Sequence, residues 1–238
     1  MNDVTPMRLK SPEPIDAASV ETWVFDLDNT LYPARCNLFV QVSARMTTFI
    51  EQRFGLEPGP AKDLQRALFQ RHGTTLRGLM TEHAVDPAAF LHYVHDIDVT
   101  ALDPAPRLDQ LLAALPGRKL VFTNGSVPHA QRVMQRLGVE RHFDRVFDIV
   151  AADYVPKPDP RPYARLVETA GFVPAGAVMV EDMAKNLAPA AALGMRTVWL
   201  RSDYDWARDS AESDHVHHVA DDLVGFLETL VGAAVEPR

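Results

Sequence analysis

The sequence predicts an α/β protein, a doubly wound parallel sheet with a bundle of helices inserted after its first strand. Three observations predict it. From residue 103 onward, short apolar runs alternate with helical stretches, which is the rhythm of βα units. The runs Leu120-Val121-Phe122, Ala177-Val178-Met179-Val180 and Thr197-Val198-Trp199-Leu200 are apolar throughout, as in strands covered on both faces. Between residues 37 and 97 no convincing strand occurs, and apolar residues recur at three- and four-residue steps.

The elements follow in order. Residues 1–20 are rich in Pro, Ser, Asp and Glu and lack an apolar h-region, so they read as a loose lead-in and not as a secretory signal. Trp23-Val24-Phe25 is the first buried strand. Phe39, Val42, Met46 and Phe49-Ile50 share one helical face, and Gly55 stops that helix. A second helix covers 60–71, with Leu64, Leu68 and Phe69 apolar and Gly73 at its end; a third covers 74–83. Asp86-Pro87 reads as N-cap and first helical position of a fourth, with Phe90, Leu91 and Val94 inside. These helices make a compact bundle, residues 35–102, inserted into a core formed by 21–34 and 103–238. In the core, helices are expected over 107–115, 128–137, 160–170, 187–193 and 221–231. Strands are expected over 120–122, 146–150, 177–180 and 197–200, joined by right-handed crossovers.

Composition limits the partners. Hydrophobic residues make up 47% and charged residues 24%, the balance of an ordinary soluble domain. The formal net charge of −8 argues against a nucleic-acid polymer or an anionic membrane as partner. A small phosphorylated substrate stays open, because local cations outweigh a global field. Cys36 is the sole cysteine, so no intrachain disulfide forms and a cytoplasmic location is expected. No base is evident for Cys36, which reads as an incidental thiol. His215, His217 and His218 fit a short edge strand with Val216 and Val219 better than a metal site. Trp199 and Trp206 read as core and lid-packing residues, and the glycines mostly close helices.

The chemistry gathers at strand ends. The first strand runs into Asp26-Leu27-Asp28-Asn29-Thr30. If the strand continued, Asp26 and Asp28 would point to one side and repel, unless a hard cation such as Mg2+ relieved them. A solvated turn or helix cap is the bland alternative. The second strand ends in Thr123-Asn124 and the fourth in Glu181-Asp182, while Lys157 follows the third. In open α/β sheets such ends share one edge, where ligands bind. Acids, a hydroxyl and a lysine together suit phosphoryl transfer: a carboxylate attacks phosphorus, cations offset the phosphate, and a second acid handles the proton.

Asp26-Leu-Asp28-Asn-Thr, Thr123-Asn, Lys157-Pro and Glu181-Asp182 resemble, in order, the four motifs of the haloacid dehalogenase superfamily. The resemblance covers nearly all the chain past the lead-in, and the helical insertion is similar to that superfamily's C1-type cap on a Rossmann-like core. It implies Mg2+ as cofactor. It implies Asp26 as nucleophile and metal ligand, and Asp28 as general acid/base that also gives its backbone carbonyl to the metal. Thr123 and Asn124 would bind phosphate, and Lys157 would hold nucleophile and phosphate together. Asp182 would be the direct metal ligand, with Glu181 acting through water. Asn186 stands near where motif four often carries another acid, a departure that bears only on a secondary contact. Asp28 is absent from the superfamily's dehalogenases, so a phosphatase or phosphomutase is implied. Leu31-Tyr32-Pro33, the stretch from Gly73 to Met80, the stretch from Tyr93 to Asp98, and Phe122-Thr-Asn-Gly followed by His129-Ala130 resemble pyrimidine 5'-nucleotidases. That implies a pyrimidine nucleoside 5'-monophosphate as substrate, with Arg77 and His95 as candidate contacts; the bland readings are a surface salt bridge and a structural histidine. The alternatives are a phosphatase or phosphomutase for another small metabolite, such as a sugar phosphate, and a non-catalytic binding protein that keeps the fold.

Overall fold

The structure, a computed structural model, describes residues 14–202 and 207–232. Trp206 and most of the expected lead-in lie outside the described residues. Six strands form one sheet: β1 (Thr22–Phe25), β2 (Arg118–Phe122), β3 (Arg145–Phe147), β4 (Ala177–Glu181), β5 (Arg196–Leu200) and β6 (His218–Ala220). Their order is β3-β2-β1-β4-β5-β6, and every pairing is parallel. Strand order therefore reverses beside β1. The register aligns Phe25 with Val121 on one side and Val180 on the other, so the carboxyl ends of β2, β1 and β4 open side by side.

The continuous apolar runs follow from burial on both faces. Trp23 and Phe25 enter one core with Val121, Val178, Val180 and Val198, while Val24 enters a second with Leu120, Phe122, Met179 and Trp199. Alternate side chains go to opposite faces, and both faces are covered. Helices α5 (Pro106–Ala114), α6 (Val127–Leu137) and α9 (Leu223–Gly232) cover the first face. Helices α7 (Pro160–Ala170) and α8 (Ala188–Ala192) cover the second. Fully burying each large apolar side chain stabilises the fold by about 1.5–3 kcal/mol relative to exposure.

Between β1 and β2 the chain also forms α1 (Leu38–Phe54), α2 (Pro58–His72), α3 (Thr75–His83) and α4 (Pro87–Val94), with α2 against α1 and α3, and α1 against α4. Thr74 caps α3 by accepting from the Arg77 amide, and Asp86 caps α4 by accepting from Ala88 and Ala89, with Pro87 first in the helix. Gly78 lets α3 approach α2 closely: a Cβ there would lie 2.8 Å from two Leu68 side-chain atoms. The return segment, residues 95–102, is held by its backbone carbonyls. Arg132 donates to His95 O at 2.9 Å and to Ile97 O, and Arg136 donates to Leu102 O at 2.6 Å. From α1, Gln41 exchanges two hydrogen bonds of 3.1 Å with the Asp98 backbone.

Two elements differ from expectation. The third strand ends at Phe147, not residue 150, because Asp148 takes the chain out of the sheet. Its carboxylate accepts from Val127 N at 3.0 Å and Ala151 N at 2.8 Å, which caps α6 and starts a turn. The helix expected over 187–193 is a 3-10 turn, Ala184–Leu187, followed by the short α8. The histidines near β6 go to separate partners: His217 Nδ1 accepts from Thr197 N at 3.1 Å and lies 2.9 Å from Thr197 Oγ1, and His215 Nε2 meets Ala184 O at 3.0 Å. Among the described residues, no helix is long and apolar enough to cross a membrane.

Candidate active site

Asp26 continues the β1 ladder by one residue, donating its amide to Val180 O at 2.9 Å. The strand does not carry on to Asp28. The chain turns there, with Thr30 and Leu31 amides returning to Leu27 O and Asn29 at φ +62°. The two acids consequently find different partners. Lys157 Nζ donates to Asp26 Oδ1 at 2.7 Å, while Asp28 Oδ1 accepts from Tyr32 OH at 2.6 Å. His129 Nε2 lies 2.9 Å from that same Asp28 oxygen, and a carboxylate only accepts, so Nε2 carries the hydrogen.

Lys157 spends all three donors, on Asp26, on Glu181 Oε2 at 2.9 Å and on Phe122 O at 2.9 Å. Its place is set from the backbone: Asn124 Oδ1 accepts from Lys157 N at 2.9 Å, and Asn124 Nδ2 donates back to Lys157 O. Thr123 is buried, and its Oγ1 accepts from Gly125 N at 2.9 Å, which leaves its O–H as a donor. Glu181 ends β4 and accepts from Asn186 Nδ2, which stands where a further acid was a family expectation. Asp182 follows; its backbone carbonyl is tied to Trp199 Nε1 at 2.7 Å, and its Oδ2 is buried without a hydrogen-bond partner among the described residues.

The electrostatics are uneven. Burial, then the Glu181 charge, push the Asp26 carboxyl up to about 7 against the pull of Lys157. Burial and the Glu181 and Asp26 charges hold Asp182 well above the usual carboxylate range. Burial alone would lower Lys157, but Asp26 and Glu181 outweigh it and keep the ammonium charged. Burial would also raise Asp28, but His129 and the Tyr32 hydroxyl hold it down at about 2.

Asp26, Glu181 and Asp182 each offer an oxygen within 4.8 Å of one another, the group among the described residues that could hold a metal ion. Three buried carboxylates face one ammonium there, and one oxygen has no partner. An all-oxygen, net-negative set of this kind fits a hard divalent cation.

The two further sequence candidates fall in different places. Arg77, on α3, lines a groove of about 370 Å³ with His72 and Gly73 on one side and Pro156, Lys157 and Arg161 on the other. His95 is buried; its Nδ1 shares a 2.9 Å hydrogen bond with Ser126 Oγ, and its ring stacks on His129 at 4.4 Å. The sequence reading gave no role to Tyr32 or His129. A signal existed for His129: a helix that starts at a strand end brings its first turn back over the neighbouring strand end.

The arrangement defines a class of protein, a doubly wound α/β fold with a buried acid–lysine cluster at its topological switch point. A family model for haloacid dehalogenase-like hydrolases matches residues 20–194, and the chain belongs to that family. Phosphate metabolism protein 8 of Saccharomyces cerevisiae is 26% identical over 233 residues, which covers 90% of this chain and 71% of that protein. A phosphoglycolate phosphatase of Neisseria meningitidis is 26% identical over 200 residues, covering 78% of this chain and 82% of that protein. Among solved structures, an HAD phosphatase from Thermococcus onnurineus superposes with TM-score 0.61 at 16% identity, covering 90% of this chain and 98% of that one. An L-2-haloacid dehalogenase from Xanthobacter autotrophicus gives 0.54 at 18% identity, covering 92% and 100%. At these identities the structural likeness speaks for the fold.

Proposed function

We propose that the chain is a Mg2+-dependent phosphomonoesterase that forms an aspartyl-phosphate on Asp26. The observation that carries this reading is the pairing of Lys157 with both Asp26 and Glu181, at 2.7 and 2.9 Å, beside the unpartnered Asp182 oxygen. Asp26 attacks phosphorus as the ester O–P bond breaks, and Asp28 protonates the departing alkoxide. Asp28 then takes a proton from the water that attacks phosphorus, and Asp26 leaves with its electron pair. Lys157 offsets phosphate charge, the Thr123 hydroxyl donates to a phosphate oxygen, and Asn124 fixes the Lys157 backbone. Mg2+, held by Asp26, Asp182 and the Asp28 carbonyl with Glu181 behind, would supply further charge neutralisation at the phosphoryl group.

In this reading α1–α4, residues 35–102, form a cap over a core of 21–34 and 103–238, supported by the groove that Arg77 and Lys157 share. The favoured substrate is a pyrimidine nucleoside 5'-monophosphate, with Arg77 as a contact. His95, buried and engaged by Ser126, is assigned a supporting place behind His129 instead. A second reading is a small phosphate ester with another negative group. It is favoured by the neisserial relative and by Arg77, whose side chain makes no hydrogen bond among the described residues.

The test is phosphate release with Mg2+ from UMP, CMP, dUMP and dTMP beside AMP, GMP, sugar phosphates and phosphoglycolate, with Asp26→Asn as the blank. A pyrimidine preference that vanishes in the blank supports the first reading. Release from phosphoglycolate or sugar phosphates keeps the chemistry and moves the substrate. Silence on every ester sinks the phosphatase reading.

A further inference from the structure

Asp28 differs from the other acids of the site. It alone of the four carboxylates is only partly buried, with 17% of its side chain exposed. Both hydrogen bonds it accepts end on one oxygen, Oδ1, from Tyr32 OH at 2.6 Å and His129 Nε2 at 2.9 Å. Its Oδ2 has no hydrogen-bond partner among the described residues.

The histidine side of this grip is built across three elements. His129 stands in the first turn of α6 and is almost wholly buried. Its ring lies flat on His95, with centroids 4.4 Å apart and planes within 10°. His95 is fixed in turn by Ser126, whose hydroxyl bonds the ring at 2.9 Å and does not cap its own helix. Gly125 keeps the space open: a Cβ there would lie 3.3 Å from His129 Cδ2 and 3.7 Å from Asp28 Oδ2. The other ring nitrogen of His129, Nδ1, is buried with no partner among the described residues. An orphaned buried polar atom is a cost that an apolar ring of the same shape would avoid. The one hydrogen bond that offsets this cost for the imidazole is the one Nε2 makes to Asp28.

We propose that His129, braced by His95, and Tyr32 are positioning residues that together clamp Asp28 by Oδ1, so that Oδ2 is the oxygen that exchanges the proton. The proposal rests on Asp28 as acid/base in the reading above. In the first half-reaction Oδ2 receives the proton that the monoanion of the phosphate monoester brings, and that Oδ2–H bond breaks again as the proton joins the departing ester oxygen and the O–P bond breaks. In the second, Oδ2 takes a proton from the water whose oxygen bonds to phosphorus.

The test compares two leaving groups. kcat/KM is measured on p-nitrophenyl phosphate, whose phenolate departs without a proton, and on the alkyl phosphate that the panel above shows to be turned over fastest. Asp28→Asn should lower the alkyl-to-aryl ratio; an unchanged ratio removes the acid/base reading and this proposal with it. Given that drop, His129→Asn should lower the ratio by about tenfold or more, and Tyr32→Phe should lower it in the same direction. His129→Gln, which can return an N–H to the Nε2 position, should bring the ratio back to within about threefold of the native value. Equal losses on both esters, or a glutamine variant no better than asparagine, overturns the clamp and leaves His129 as packing alone. Should His129→Asn not fold, Tyr32→Phe and His129→Gln decide by the same ratio.

Discussion

Asp182 illustrates how a single residue trades stability for a site. Its carboxyl is buried beside Asp26 and Glu181, and one of its oxygens has no partner among the described residues. In EDTA, Asp182→Asn should therefore raise the melting temperature by a few degrees, on the order of 1 kcal/mol, by removing one of the mutually repelling charges. Added Mg2+ should raise the melting point of the native protein and move the variant much less; equal shifts would remove Asp182 from the metal site. His95 makes a pH prediction. Burial, with help from His129 and Arg132 and against the pull of Asp28, lowers it from 6.5 to about 3. The unfolded chain takes up this proton as pH falls through about 6.5, and the folded one only near 3. Stability should thus be kept above that window and lost on acidification across it, by up to a few kcal/mol. Denaturant unfolding between pH 4 and 7.5 should show a shallower slope for His95→Asn than for the native chain. At this scale the sequence announces some residues and hides others. Asp26, Thr123 and Glu181-Asp182 each follow an apolar run, so their place at a strand end is readable. Tyr32 carries no such flag as a partner of Asp28, and His129 carries only its place in the first turn of α6, since its bond to Asp28 spans 101 positions.

At the scale of elements, the contact between α2 and α3 turns on Gly78. Alanine is the better helix former by about 1 kcal/mol, yet its Cβ would sit 2.8 Å from the wholly buried Leu68. Overpacking should win, and Gly78→Ala should destabilise by about 1–2 kcal/mol net in thermal unfolding. Gly59→Ala, in the first turn of α2, meets nothing within 4 Å beyond its chain neighbours and faces only the local crowding of Pro60, so it should cost less than Gly78→Ala. A Gly78→Ala protein as stable as Gly59→Ala would refute the close-approach argument. Helix boundaries were readable where stop signals stand: Gly55, Gly73, Gly138 and Gly171 all close helices with positive φ. The early end of β3 was not readable, because Val150 continues the apolar pattern while the turn is set by Asp148 reaching the start of α6. Likewise Leu187 keeps helical spacing, and only the 3-10 turn that places Glu181, Asp182 and Asn186 shortens α8.

For the whole molecule, the alternation of strands and helices was enough to foresee a parallel sheet, since strands buried on both faces have no polar side to show. The strand order was not foreseeable, because it depends on which crossover covers which face. The two chain segments that join α1–α4 to the sheet are tied down unequally. The return segment is pinned from α6 by Arg132 and Arg136 and from α1 by Gln41. On the outgoing side, residues 33–37 hold only local turns, and no side-chain hydrogen bond ties them to another element among the described residues. In mechanical terms this is a door with one fixed pin and one slack strap. Rotation of the four helices would turn about residues 95–102 and be taken up near Asn37, which already sits at φ +54°. Hydrogen exchange would expose such asymmetry: amides of 97–102 should be protected nearly as well as α6, and those of 34–37 should exchange sooner. Equal rates on both sides would mean a door hung evenly.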